Sequence, residues 1–229
     1  MKKLTHASVI RQLPRAFLYF IIGSVAGFIF GYLLFNFSKP SYEFILTLWF
    51  KRILFGVKFV GNQYIFWFIL NNFTAMLLAI AATFIILTQV ARKKTYLFAK
   101  RFKNLEKSHP KMTLLSLYII PIGALIINGF LISLFLTFVL LNNGFGNFTL
   151  ILLKLSPHGI GELFALFLAA SLGLSYIKIL SPLILSKRWS LCIKESKKLF
   201  FSNVTIFYIF LIAVLVVFSG YLEGTAMLR

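Results

Sequence analysis

Five runs of apolar sequence, each long enough to cross a hydrocarbon layer about 30 Å thick as a helix, take up most of this chain. They cover about 16–37, 64–90, 112–141, 157–185 and 203–223 of the 229 residues. Sixty per cent of the residues are apolar or aromatic and Phe alone occurs 28 times, more than a water-soluble core can bury. The expected fold class is therefore all-α: a polytopic transmembrane helical bundle of about five spans. A basic tail, 1–15, precedes a single helical membrane domain, 16–229. Ser24-Val25-Ala26 imitates a cleavage site, but apolar sequence continues well past it, so the first run reads as a retained anchor rather than a signal peptide. Between the first two runs, Ser41 to Gln63 carries Trp49, Lys51, Arg52 and Lys58, which suits an interfacial or re-entrant helix. Pro121 and Gly123 are expected to kink the third run.

The 24 Lys and Arg face only 5 acidic residues, and the resulting charge of +19 lies in the gaps between runs. Positive side chains are retained in the cytoplasm, so their distribution sets the orientation. The tail carries four, Ala91 to Lys111 eight and Ser186 to Ser202 five; the opposite side carries four before the second run, then Lys154 and Arg229. This predicts a multi-pass protein of the cell membrane with a cytoplasmic N-terminus and an external C-terminus. Lys178, inside the fourth run, is expected to snorkel toward the cytoplasmic end. Anionic lipid is the expected partner of the basic segments. No nucleic-acid-binding motif accompanies the charge, which argues against a nucleic-acid partner. A single cysteine, Cys192, excludes an intramolecular disulfide. Gly23, Gly27 and Gly31 give the first run a flat face, for internal packing or for self-association as a homodimer.

Polar groups inside apolar runs are expensive and need a reason. They are few: Asn71 and Asn72 early in the second run, Asn128 in the third, His158 and Glu162 opening the fourth, and Glu223 closing the fifth. Under the derived orientation the Asn pair, His158, Glu162 and Glu223 share the outer half of the layer, which suggests one common site. Ser156 is read as an N-cap with Pro157 in the first turn, so that His158 and Glu162 lie on one face. Ala165, Ala169 and Tyr176 continue that face at helical spacing, which turns it toward the protein. Asn72, Ala75, Ala79 and Thr83 form a comparable stripe. One reading is a cluster that ties helices together or organises contacts with other membrane proteins. The other is a metal site: His158, Glu162 and Glu223 are ligands of the kind zinc takes, with a fourth position left for water, and would make the chain an intramembrane zinc-dependent hydrolase. The spacing His-x-x-x-Glu is not the His-Glu-x-x-His pair of familiar metalloproteases. A small transporter is the third reading, though so short a polar set offers little path.

The stretch Ser156-Pro157-His158-Gly159-Ile160-Gly161-Glu162-Leu163-Phe164-Ala165, followed by Leu168-Ala169-Ala170 and Gly173, resembles the signature of the stage II sporulation protein M family. Members of that family typically show Pro-His-Gly, a Glu three residues after the Gly, and then a small-residue helix. The Asn71-Asn72 pair, the glycine-bearing stretch Asn142 to Gly146 and the late Glu223 are similar to family features in the same order. The resemblance implies a multi-span membrane protein acting as an anchor or scaffold with protein partners, and carries no established catalytic activity. By that analogy Asn71, Asn72, Pro157, His158, Gly159, Glu162 and Glu223 form a shared polar core.

Overall fold

The computed structural model describes residues 3–48, 73, 74, 76, 77, 80 and 110–227, with side chains at all of these except 112, 158 and 223–227. Every element among the described residues is an α-helix. A short α1, His6–Ile10, is closed at its start by a reciprocal capping box: Ser8 N donates to Thr5 Oγ1 at 3.2 Å and Thr5 N to Ser8 Oγ at 3.1 Å. It leads into α2, Leu13–Phe37, and after a bend at Ser38 into α3, residues 39–48. Then come α4, Pro110–Leu185, α5, Trp189–Phe200, and α6, Asn203–Met227. Among the described residues, four stretches are long and apolar enough to cross a membrane: His6–Phe37, Thr113–Pro157, Gly159–Leu185 and Asn203–Leu222. The expected second run lies mostly outside the described residues. Within it, 73, 74, 76, 77 and 80 are helical, and Met76 and Ile80, one turn apart, are buried.

The third and fourth runs join differently from expectation. Instead of a loop ending at a Ser156 cap, α4 continues for 76 residues with one break, at Gly144 (φ 78°, ψ 171°), a conformation in effect reserved for glycine. Its two arms are residues 110–143 and 145–185. The backbone stays helical through Pro121 and Gly123. It also stays helical through Pro157, for an identifiable reason. Proline has no N–H for the carbonyl four residues back, here that of Leu153. Ser156 Oγ donates to that carbonyl instead, at 3.0 Å. The same device recurs at Ser181-Pro182, where Ser181 Oγ donates to Lys178 O at 3.1 Å. Ser156 is thus a bridge inside a helix rather than its cap.

The chain forms two compact units. One comprises Met1–Ala16, Ala75–Ala124 and Leu166–Ile212. At its centre runs the second arm of α4, where Leu168 to Ile177 are buried in an unbroken run and Lys178 emerges exposed. Ser175 Oγ donates to Ser8 O at 3.1 Å, and the His6 ring meets the rings of Phe207 at 5.1 Å and Tyr208 at 5.6 Å, so α1 is strapped to both α4 and α6. Tyr176 and Thr205 hydroxyls lie 2.5 Å apart, and Thr205 Oγ1 donates to Leu199 O at 2.6 Å; Tyr176 must therefore be the donor to Thr205. Cys192 is buried, and burial pushes its thiol up to about 11, the environment of an inert cysteine.

The other unit comprises Phe17–Thr74, Leu125–Ala165 and Ala213–Arg229. Here the glycine face of α2 is used internally. A side chain at Gly23 would strike the backbone of Ile126, one at Gly27 the backbone of Phe130, and one at Gly31 the side chains of Tyr42, Leu134 and Thr137. Both series ascend together, so α2 and the first arm of α4 run parallel, in backbone contact that only small residues permit. The stripe is thereby taken up by internal packing. The bend at Ser38 brings the Tyr42 hydroxyl back beside Gly31, where it donates to Leu134 O. Tyr42, Leu46 and Leu134 form the buried cluster that pins α3.

Candidate functional site

The motif residues lie on the second arm of α4, beyond Gly144 and its neighbours. Pro157 is exposed, Gly159 and Glu162 are half-buried, and a side chain added at Gly159 would meet nothing within 4 Å. Downstream, Ala165 and Ala169 are fully buried and Tyr176 nearly so, as expected for a face turned toward protein. Asn71 and Asn72 lie outside the described residues, as do the His158 and Glu223 side chains. Asn128 is exposed and sits away from the motif in sequence, on the first arm.

One contact places the motif relative to α6. Gly161 packs directly beneath the hydroxyl of Ser219: a Cβ at 161 would collide with Ser219 Oγ, and Leu215 O is next, at 3.8 Å. With Tyr176 bonded to Thr205 further down the same two helices, the second arm of α4 and α6 run antiparallel. Moving three residues back from Gly161 and four forward from Ser219 therefore goes toward the same end. Positions 158 and 223 stand about 4.5 Å and about 6 Å from the Gly161 contact along their helix axes. The backbone thus brings His158 and Glu223 to one level, one helical turn from Glu162.

Ser219 was not among the residues the sequence singled out. Its signal was modest: Ser219-Gly220 is the one small pair in the apolar half of α6 and precedes Glu223 by a turn. Several serines within these helices return a hydrogen bond to their own backbone, as Ser24, Ser156, Ser181 and Ser196 do. Ser219 does not; its Oγ is buried and has no hydrogen-bond partner among the described residues, and the same holds for Ser171. An unpaired buried hydroxyl is costly unless another group serves it.

The charges around this level are sparse. In the second unit the charged residues with described side chains are Lys39, Glu43, Lys154 and Glu162, whereas the first unit carries Lys3, Arg11, Arg15, Lys111, Lys178, Lys187, Arg188, Lys194, Lys197 and Lys198 against Glu195 alone. Among the described residues no three His, Cys, Asp or Glu side chains gather closely enough to hold a metal ion. Two of the three expected ligands, His158 and Glu223, are not among the described side chains.

Fold and site together define an all-helical protein with four described helical stretches fit to cross a membrane and a glycine-serine contact joining two of its helices at the level of a Pro-His-Gly-x-x-Glu segment. Comparison with protein-family models, with curated proteins and with solved structures gave no match.

Proposed function

We propose that the chain is a five-span integral protein of the cell membrane, similar to the stage II sporulation protein M family, whose polar core organises helices and contacts with other membrane proteins. The observation that supports this reading is the Gly161–Ser219 contact: with the two helices antiparallel, positions 158 and 223 would fall at one level, a turn from Glu162. Asn71, Asn72, Pro157, His158, Gly159, Glu162 and Glu223 form that core, with Ser219 added to it. The span count has support of its own. Helices α2 and the first arm of α4 run parallel, so the chain between them has to cross back, and the run 64–90 is the apolar stretch there able to do so. Ser41 to Gln63 would then serve as the interfacial connection.

The experiment compares wild type with Glu162→Gln, purified without chelators, in metal content and thermal unfolding. A scaffold predicts metal-free protein whose unfolding midpoint falls by a few degrees in the variant, in line with a loss of about 1 kcal/mol when a half-buried carboxylate is neutralised. Stoichiometric zinc in wild type that disappears in the variant would replace this reading with the hydrolase.

A further inference from the structure

The connection between α4 and α6 is itself a helix with two unlike faces. Along α5, Cys192, Ser196 and Leu199 are buried in the first unit, while Lys194, Lys197 and Lys198 are exposed. The exposed side also carries Leu191, 43% exposed, and at its far end Phe201, 70% exposed. At helical spacing these five residues fall within an arc of roughly 120°. A face built only to meet water would have no use for two large apolar side chains flanking three lysines. A lipid headgroup layer accommodates both, with ammonium groups among phosphates and apolar side chains at the acyl boundary.

Position supports the same occupant. Three residues link α4 to α5 and two link α5 to α6, so α5 lies where two apolar helices end. Glu195, which pairs with Lys198 at 2.9 Å, is the one acidic residue described in this unit, against ten cations. The net field is thus strongly positive and complementary to an anionic surface.

We propose that α5 is an interfacial helix that binds anionic phospholipid, with Lys194, Lys197 and Lys198 on the phosphates and Leu191 and Phe201 in the acyl boundary. This rests on the membrane reading above and is independent of the polar core.

The test uses the full chain with Trp49→Phe and Trp67→Phe, which leaves Trp189, at the start of α5, as the sole tryptophan. It is reconstituted into vesicles of phosphatidylcholine with rising phosphatidylglycerol, one of the two lipids brominated on its acyl chains. Brominated phosphatidylglycerol should quench Trp189 at a mole fraction at least about tenfold below that needed for brominated phosphatidylcholine, because surface lysines draw anionic lipid to the helix. The preference should vanish in K194Q/K197Q/K198Q, persist in the corresponding triple arginine variant and weaken in high salt. Equal quenching by the two lipids overturns the proposal, as does a preference that survives the glutamine triple. Protein that resists carbonate extraction but shows no lipid preference refutes α5 alone; protein that carbonate extracts refutes the membrane reading with it. Should the tryptophan variants fail to fold, native mass spectrometry of the chain with all its tryptophans reads the same point: wild type should retain more phosphatidylglycerol than the glutamine triple, and equal retention overturns the proposal.

Discussion

A methyl group is the smallest probe of the contacts that hold these helices together, and its effect depends on what stands opposite. At Gly27 it would overlap the carbonyl of Phe130, backbone that cannot rotate away, so Gly27→Ala must drive α2 and α4 apart. A loss of about 2–4 kcal/mol is expected, near the upper range for point changes. At Gly161 the obstacle is Ser219 Oγ, whereas Ser219 Cβ stands 3.6 Å away, an ordinary contact distance. Gly161→Ala should therefore destabilise, and Ser219→Ala should relieve it, because the second change removes both the clash and a buried unpaired hydroxyl. Gly159→Ala, with open space around it on a helical backbone, should be neutral to stabilising by about 1 kcal/mol. Unfolding in mild detergent checks all four variants. If the double variant is no more stable than Gly161→Ala alone, the two helices do not meet where the register of the polar core requires.

Among the elements, the second arm of α4 makes the sharpest prediction, since it runs through two prolines with a serine before each. If Ser156 Oγ stands in for the N–H that Pro157 lacks, Ser156→Ala should cost about 1 kcal/mol, the value of a typical hydrogen bond. In a Pro157→Ala background the alanine N–H can serve Leu153 O directly, and Ser156→Ala should become nearly neutral. A double-mutant cycle measured by thermal unfolding gives the coupling, and a cycle with none would mean that the serine does not bridge the proline. This device also shows where the sequence stopped being legible. The apolar runs gave the helices themselves, because their length and composition leave few alternatives. Helix ends were harder: Ser-Pro is the usual signature of a helix start, and only the contact from Ser156 to a carbonyl within the same helix separates a bridged proline from a capped one. The break fell at Gly144 instead, in a stretch of Asn142, Asn143, Gly144 and Gly146 whose composition signals a turn without saying which residue makes it. As a result His158 stands about 21 Å along the helix from the break rather than at a helix start.

At the scale of the whole molecule, charge and packing bear on the same property, the direction of each helix. The glycine stripe of α2 was visible in the sequence, but its partner left only one small residue as a mark, Gly129, which packs against the backbone of Phe20 and Ser24, while Ile126 and Phe130 meet the glycines through backbone alone. In a bilayer, the parallel pairing it creates would set the ends of α2 and of the first arm, near Phe37 and Gly144, on the same side. Their starts, near Arg11, Arg15 and Lys111, would then face the other. Positive side chains are held in the cytoplasm, so the basic starts should be inside. Reporter fusions should then read as cytoplasmic at Lys103 and external at Gly146 and Arg229, scored with one enzyme active only outside and one only inside. Gly146 decides most, because it adjoins the break between the two arms. A cytoplasmic reporter there would invert α2, both arms and α6 together, and would carry the level of His158, Glu162 and Glu223 to the inner leaflet. The parallel packing would stand in that event, but the basic segments would then lie outside, against the rule that sets the direction of nearly every such chain.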